Sequence, residues 1–152
     1  MISLQNKNVL VTGGSRGIGK ACVELFLKAG ANVAFTFQSA KVEADKLMAD
    51  YTGSSKLKQY KLNLADAVEI EKVLGLVLSD FGQIDILVNN AGIGMCRSFM
   101  DYTLEEFDQI MKTNLYGTFL VTQGVLPGMI ARKKGRIINI ASTAGKWGSK
   151  NQ

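Results

Sequence analysis

The sequence predicts an α/β protein built on a doubly wound parallel sheet, and two observations carry that prediction. Short apolar runs alternate with helical patterns along the whole chain, which is typical of repeated β-α-β units. The first apolar run leads directly into a glycine-rich turn and then a helical pattern, as expected for a strand, a tight turn and a helix N-terminus. The 152 residues suit one domain, 1–152, without repeats or a linker.

Five short runs rich in Val, Ile, Leu and Phe are the candidate strands. Few polar residues interrupt them, as expected for strands that are buried on both faces. Right-handed crossovers between them predict the strand order 3-2-1-4-5, with a ligand crevice at the carboxyl ends of strands 1 and 4. The five runs are Asn8–Thr12, Asn32–Phe37, Leu57–Leu62, Ile84–Val88 and Arg136–Ile140.

Helical spacing of apolar residues marks the segments between the strands. The first helix is predicted to end at Gly30, and a weaker second one runs from about Lys41 to Tyr51. In the third, Asp66 and Glu69 resemble a capping box, and the helix is predicted to end at Gly82. The apolar rows are Ile18, Cys22, Leu25 and Ala29 in the first helix, and Ile70, Leu74, Val77 and Phe81 in the third.

The fourth helix is predicted as one long element. We predict that it starts at Thr103, with Glu106 three residues later, and that Pro127 kinks its C-terminal end. Its apolar and near-apolar positions are Phe107, Ile110, Met111, Leu115, Phe119, Thr122, Leu126 and Met129.

The composition favours a globular protein of the cytoplasm. Apolar residues make up 47% of the chain and charged residues 20%, no signal-peptide pattern precedes the first strand, and no apolar run approaches the roughly 18 residues of a membrane span. Cys22 and Cys96 are interpreted as free thiols. The chain has no histidine, which excludes Ser-His-Asp and Cys-His catalysis and most zinc sites, and we expect no metal.

The net charge of +5 suits a polyanionic cofactor, an acidic protein partner or nucleic acid. The basic residues are scattered, apart from one cluster at the predicted end of the fourth helix. Cations are favoured there by the helix dipole, so we prefer this local explanation and expect no nucleic acid and no membrane as partners. The cluster comprises Arg132, Lys133, Lys134 and Arg136.

The turn after the first strand is the strongest functional signal in the chain. Residues 12–19 read Thr-Gly-Gly-Ser-Arg-Gly-Ile-Gly. Glycine permits a positive φ and lets the backbone approach a ligand closely. The first turn of a helix has free N–H groups and the positive end of the helix dipole, which together bind phosphate. We therefore predict a site for the pyrophosphate of a nucleotide; a plain turn is the alternative.

Three further features lie at strand ends or in the fourth helix. Asn89-Asn90-Ala91-Gly92 follows strand 4, Asn114 lies in the fourth helix, and Ser142 follows strand 5. Each has an ordinary explanation when taken alone. Asn89 and Asn90 are common turn formers, Asn114 fits an exposed position on a helix, and Ser142 fits a hydroxyl that follows a strand. Their order and spacing argue against coincidence.

Together these segments resemble the short-chain dehydrogenase/reductase family, in particular its classical branch, which includes the 3-oxoacyl-[acyl-carrier-protein] reductases of fatty acid biosynthesis. The matching residues are 12–19, 89–92, 114 and 135–142, and the resemblance covers essentially the whole chain. It implies a Rossmann-type fold, reduction of a carbonyl by NADP(H), a small or carrier-bound acyl substrate, and a homo-oligomer.

The resemblance also implies a role for each matching residue. Asn63 and Leu64 match the pair that borders adenine, although the family more often has Asp at the first of these positions. Ser142 matches the serine that hydrogen-bonds the substrate carbonyl, and Asn114 matches the asparagine that holds a water in the proton relay. Residues that would hold the phosphates and adenosine ribose are Gly13, Ser15, Arg16, Gly17, Ile18 and Gly19; those that would line the cofactor further along are Asn90, Ala91 and Gly92.

The end of strand 2 favours NADP(H) over NAD(H). Sites selective for NAD carry an acidic residue there, which binds the ribose 2′-hydroxyl. This chain has Gln38 at that position, and residues 35–39 include no acid. Arg16 lies beside the second glycine of the turn, within reach of a 2′-phosphate.

Catalysis in the family also uses a Tyr-x-x-x-Lys motif, in which the tyrosine protonates the carbonyl oxygen. None of the four tyrosines begins this motif, and family spacing from Ser142 places it beyond Gln152. We therefore expect a chain truncated before that helix, inactive or nearly so alone, with an exposed strand 5 that favours self-association. The alternative is a non-catalytic module that binds NADP(H).

Overall fold

The computed structural model describes residues 3–94 and 98–147, and its centre is a five-stranded parallel sheet. The strand order is β3-β2-β1-β4-β5, so the predicted fold class and order are confirmed. Cys22 is a free, half-buried thiol, whereas Cys96 lies outside the described residues. The strands are β1 (Asn8–Val11), β2 (Asn32–Phe37), β3 (Leu57–Lys61), β4 (Ile86–Asn89) and β5 (Arg136–Asn139).

Helices cover both faces of this sheet. None of those in the described part of the chain is long and apolar enough to cross a bilayer. They are α1 (Gly17–Lys28), α2 (Lys41–Asp50), α3 (Ala67–Phe81), α4 (Leu104–Met111) and α5 (Gly117–Ala131), with a π-helical turn at Lys112–Tyr116 and short 3₁₀ turns at Phe99–Asp101 and Thr143–Gly145.

Alternate residues of the central strands build two separate cores. Val9 and Val11 of β1 face α1 and α2, whereas Leu10 between them faces α3 and α5. This alternation follows from the period of two in a strand. Both faces of β1, β2 and β4 are therefore buried, which explains why these strands read as continuous apolar runs. The edge strands depart from this expectation, because β3 is half-buried and β5 is largely exposed.

The fourth strand begins two residues later than predicted. Ile84 was expected to start it, but regular pairing begins at Ile86. The Asp85 carboxylate accepts hydrogen bonds from the Asn8 backbone N–H at 3.0 Å and from the Gln83 side chain at 3.2 Å. The Asp85 side chain thus takes the Asn8 N–H, while the Asp85 backbone donates to the Asn8 carbonyl at 2.8 Å and accepts from Arg136 N–H at 3.0 Å. Ile84 is buried in the core.

The apolar row predicted for the first helix is buried only in part. Ile18 and Leu25 are 63% and 67% exposed. The helix instead packs on the sheet through Val23 and Leu27, with Gly19 at its start. Two apolar rows run along this helix, and spacing alone does not show which of them meets the sheet.

The predicted long fourth helix is interrupted by the π-helical turn. From this turn onward, a row of residues spaced by four faces the sheet. Phe107, Leu115 and Phe119 were expected on the apolar face and are instead 51%, 52% and 59% exposed. Pro127 lies inside α5. The buried row consists of Thr113, Gly117, Val121, Val125 and Met129.

The predicted start of the fourth helix is confirmed with a complete capping box, and that of the third helix with only one half of the box. Thr103 and Glu106 form a complete capping box at the start of α4. Asp66 caps α3 by accepting from the N–H groups of Val68 and Glu69. The reciprocal half of that second box is absent, because Asp66 N–H donates to the Asn63 carbonyl while the Glu69 carboxylate accepts from Asn63 N–H at 3.1 Å.

We expect Tyr60→Phe to destabilise the fold by about 1 kcal/mol at neutral pH, because it removes one part-buried hydrogen bond to a carboxylate. Tyr60 on β3 donates to Asp80 Oδ2 at 2.6 Å, while Lys58 holds the other carboxylate oxygen at 2.5 Å. Urea unfolding measures the change. Tyr116→Phe, at an exposed tyrosine, is the matched control and should have little effect.

The same interaction predicts a pH dependence. Burial, together with the Asp80 carboxylate, raises the pKa of Tyr60 above its ordinary value of 10.0. The stabilisation is therefore complete below that value and is lost as pH rises through the folded-state pKa. The difference in stability between the wild type and Tyr60→Phe should shrink in alkaline urea titrations; a constant difference would contradict this account.

Candidate functional site

A cleft of about 350 Å³ opens at the carboxyl ends of β1, β2 and β4. This is the point at which the strand order reverses, where parallel α/β sheets bind their ligands. Three segments far apart in sequence meet there: the glycine turn, the residues after β2 and the residues after β4. Asn114 and Ser142, which were predicted to face the same crevice, are not among its lining residues. The lining residues are Gly13, Ser15, Arg16, Gly17, Ile18, Gly19, Phe37, Gln38, Ser39, Ala40, Asn90, Ala91, Gly92 and Ile93.

The glycines of the turn have separate structural reasons. Gly13 has a φ of +67°, and a Cβ there would lie 2.9 Å from the Ala91 Cα. At Gly19 a Cβ would lie 2.1 Å from the Gly13 carbonyl oxygen and 2.5 Å from Asn90 Nδ2. These two glycines therefore let the start of α1 pack directly against the turn and against the residues after β4.

Gly17 differs because none of the residues that the structure describes occupies the space beside it. Its φ is +56°, and a Cβ would meet no protein atom within 4 Å. A side chain there would be strained and would project toward open space beside the cleft. This empty space against bare backbone is what a bound phosphate group requires.

The N-terminus of α1 has no side-chain cap, unlike those of α3 and α4. Arg16 precedes the helix without making a capping bond, and the first turn contains no acidic residue. In contrast, Asp66 caps α3 and Thr103 caps α4. The N–H groups and the dipole of α1 thus remain available for an anion, and the residues present fit a dinucleotide pyrophosphate.

The cleft is held together by a hydroxyl that the sequence reading did not single out. Thr12 Oγ accepts hydrogen bonds from the N–H groups of Asn90 and Ala91, at 3.0 and 3.1 Å. The Asn90 amide donates in return to the carbonyls of Thr12 and Gly13, at 3.0 and 3.1 Å. The position of a threonine directly before the glycine turn is the signal that could have indicated this role.

Thr36 on β2 is a second positioning residue that sequence reasoning missed. Its buried Oγ accepts from Gly13 N–H at 3.2 Å, and its carbonyl accepts from Gly14 N–H at 2.9 Å. The turn is therefore fixed from both neighbouring strands, and its two first N–H groups are not left for a ligand.

The residues predicted at the adenosine end of the cofactor lie at different distances from the cleft. Gln38 lines the cleft, and its amide donates to Asn63 Oδ1 at 3.2 Å, which places Asn63 behind it. Leu64 is buried in the core, where its carbonyl lies against Gly117. The structure thus brings Gln38 to the cleft, Asn63 next to it, and Leu64 into the supporting core.

Asn114 is in the π-helical turn and binds the loop that follows β4. Its Oδ1 accepts from Ile93 N–H at 2.8 Å, and its Nδ2 donates to the Ile93 carbonyl at 2.8 Å. Thr118 Oγ donates to the Asn114 carbonyl at 2.9 Å. The side chain therefore positions the rim of the cleft, while the water expected at Asn114 stays a prediction.

Ser142 follows β5 at the same edge of the sheet. Its Oγ accepts from Ala144 N–H at 3.1 Å, and the side chain is exposed. Because the oxygen accepts in this bond, the hydroxyl proton is free to be donated to another group. That is the capacity needed to bind a carbonyl oxygen.

The comparison with protein families agrees with this geometry. The family model described as short chain dehydrogenase matches residues 7–152. The chain belongs to the short-chain dehydrogenase family.

Curated relatives in this family are closely similar over nearly the whole chain. The 3-oxoacyl-[acyl-carrier-protein] reductase FabG of Vibrio cholerae is 42% identical over 151 residues, covering 99% of this chain and 61% of the relative. The reductase of the same name from Thermotoga maritima is 38% identical over 150 residues, with 98% and 61% covered. This short-chain dehydrogenase sequence therefore spans 61% of the length of these relatives.

Solved structures of the family share the fold. A short-chain dehydrogenase from Streptomyces avermitilis superimposes with a TM-score of 0.87 at 32% identity, over 95% of this chain and 52% of that one. A metagenomic short-chain oxidoreductase in complex with NADP has a TM-score of 0.86 at 31% identity, over 97% and 67%. The arrangement around the cleft is thus that of a short-chain dehydrogenase.

We expect Asn114→Leu to release the loop after β4, because it removes both hydrogen bonds to Ile93. The loss should be about 1–3 kcal/mol in unfolding free energy, and the Ile93 amide should exchange with solvent markedly faster. Hydrogen exchange followed by NMR measures this directly. Thr118→Val, which removes only the bond to the Asn114 carbonyl, is the control; unchanged Ile93 protection in Asn114→Leu would refute the role.

Proposed function

We propose that this chain forms the cofactor-binding part of a cytoplasmic NADPH-dependent reductase that converts a 3-oxoacyl thioester or a similar ketone to the hydroxy product. The observation that carries the proposal is the cleft at the switch point, with an uncapped helix N-terminus and Arg16 at its rim. The names of the curated relatives support the substrate class.

The charge around the cleft favours a cofactor with a 2′-phosphate. Arg16 is exposed, and none of the described lining residues is acidic. Gln38 stands where sites selective for NAD carry an acid that repels the phosphate. The NADP complex of a structural neighbour supports the same choice.

The residues near the cleft suit carbonyl reduction. NADPH, when bound, supplies the hydride. Ser142 would donate a hydrogen bond, without giving up its proton, to the substrate carbonyl oxygen, and Asn114 holds the rim through Ile93. The proton that completes the reduction would come from the tyrosine of the family's Tyr-x-x-x-Lys motif. Hydrogen bonds to an oxygen that gains negative charge stabilise the transition state more than the ground state.

A second candidate function is a non-catalytic module that binds NADP(H). The sequence contains no Tyr-x-x-x-Lys, and general acid catalysis of this kind contributes ~10²–10⁴ in rate. An NADPH titration followed by a reductase assay with a 3-oxoacyl thioester separates the candidates. Binding with negligible turnover favours the module for these 152 residues, and ordinary turnover favours the enzyme.

The partner we propose for the acyl group is an acidic carrier protein. The support for this partner is the net charge of +5, which suits an acidic protein surface. The basic cluster after α5 ends at the first residue of β5 and therefore lies at the edge of the sheet opposite the cleft, so it is not the docking site that we propose.

We also propose that the protein is a homo-oligomer through the exposed face of α4 and α5. This face presents large apolar side chains to solvent, which marks interaction surfaces. It carries Leu104, Phe107, Leu115, Phe119, Leu126 and Ile130.

Arg16→Ala should weaken NADPH binding by roughly ten- to a hundredfold and NADH binding far less, because one charge-assisted hydrogen bond is worth ~1.5–3 kcal/mol. Fluorescence titration with both nucleotides measures the two affinities. Lys20→Ala, at a neighbouring cation paired with Glu24 at 3.6 Å, is the matched control. Equal losses for both nucleotides would refute the 2′-phosphate contact.

Phe119→Glu should shift the protein toward the monomer, because a charge on the apolar α4–α5 face is costly to bury. Light scattering coupled to size exclusion measures the mass. Val68→Glu changes an even more exposed apolar residue on α3, outside this face, and should leave the mass unchanged. A wild-type monomer at high concentration would contradict the proposal.

A further inference from the structure

A second cavity lies at the edge of the sheet opposite the cofactor cleft. It has a volume of about 450 Å³ and opens where α1 and α2 end. The helix of a β-α-β unit runs back along its parallel strands, so these two ends lie beside the starts of β2 and β3. Among the described residues, the cavity shares none with the cleft.

The floor of this cavity is apolar, and one of its walls is aromatic. Leu27 of α1 and Leu47 of α2 are 8% and 4% exposed. Tyr51, the residue after α2, is fixed because its hydroxyl accepts from Ser55 N–H at 3.0 Å. Its ring packs on Gly53, where a Cβ would lie 2.6 Å from Tyr51 Cζ. The cavity therefore has the preformed apolar lining that is typical of small-molecule sites.

The end of α2 contributes negative charge to the rim. In α1, α3 and α5, a backbone N–H after the helix returns to a carbonyl of the last turn. No such bond closes α2 within the described chain, and the last turn of α2 contains no basic residue. The carbonyls at 47–50 therefore remain available to a donor, together with the negative end of the helix dipole.

The charged side chains of the rim add to this negative field. Glu24 and Asp50 are carboxylates, and Lys28 is the one cation among the described lining residues. Asp50 and Lys28 take part in none of the ion pairs between described residues, whereas Glu24 lies 3.6 Å from Lys20. In a protein with a net charge of +5, this rim is a local excess of acceptors and negative charge.

We propose that this cavity binds a primary aliphatic amine. The hydrocarbon stem packs against Leu27, Leu47 and the Tyr51 ring, and the ammonium group lies at Asp50 and the last carbonyls of α2. An ammonium group has three N–H donors and no acceptor, which matches this rim, and the face of an aromatic ring also attracts a cation. An anion would instead meet two carboxylates and a helix C-terminus. The site is separate from the proposed cofactor site and does not depend on it.

The test is a titration of the complete 152-residue chain with n-pentylammonium, with n-pentanol and pentanoate as probes that share its stem. Saturable shifts at residues 28–30 and 50–55 in ¹⁵N spectra should appear with the ammonium at concentrations where the other two probes have little effect. Binding should weaken in high salt, because the charges of the rim are exposed. Pentanol binding as tightly as the ammonium, or pentanoate binding more tightly, overturns the proposal.

Two substitutions at exposed positions of the rim have opposite expected effects. Asp50→Asn removes an attractive charge and should weaken pentylammonium binding about 3-fold, whereas Lys28→Gln removes a competing cation and should strengthen it about 3-fold, the size of one exposed ion pair. Glu43→Gln and Lys46→Gln make the same charge changes at exposed positions of α2 outside the cavity and are the matched controls. Weaker binding in Lys28→Gln, or rim variants that behave like their controls, refutes the site.

Saturation with NADPH separates this inference from the proposed function. Because the two sites lie at opposite edges of the sheet, the amine affinity should be the same with and without the nucleotide. Loss of the amine shifts on addition of NADPH would show that the amine binds in the cofactor cleft and would overturn the inference. A chain that binds the amine but no nucleotide would contradict the proposed function alone.

Discussion

The junction between β1 and β4 is the constraint on which the rest of the site depends. The Thr12 hydroxyl binds two consecutive N–H groups after β4, and the Asn90 amide returns two bonds to the carbonyls after β1. At this point the two strands lead to opposite sides of the sheet. The four bonds keep their ends together, and the crevice is the space that this divergence leaves.

The glycines are consequences of that junction. Because the Asn90 amide lies against the turn, the residue at position 19 has no room for a Cβ, and the same holds at position 13. Position 17 lies on the open side, and glycine there leaves backbone groups uncovered. The anion site therefore follows from close packing on one side of the turn and its absence on the other.

The positioning of the rim depends on a departure from regular helix. The π-helical turn places Asn114 so that both ends of its amide pair with the backbone of Ile93. After the same turn, α5 packs on the sheet through Gly117, Val121, Val125 and Met129, while Phe119 is exposed.

The sequence by itself determined the alternation of strands and helices, the glycine turn and the absence of an acid after β2, because each of these is local. Periodicity does not indicate which of two apolar rows meets the sheet, and the rows predicted for α1 and for the fourth helix were partly wrong for that reason.

Only the tertiary structure decided the roles of Thr12, Thr36, Asn63 and Asn114. Each of their cleft contacts joins residues that are 21 to 79 positions apart in the chain. The direction of an amide hydrogen bond depends on which partner the fold brings to it, and that partner is set by the packing of whole strands and helices.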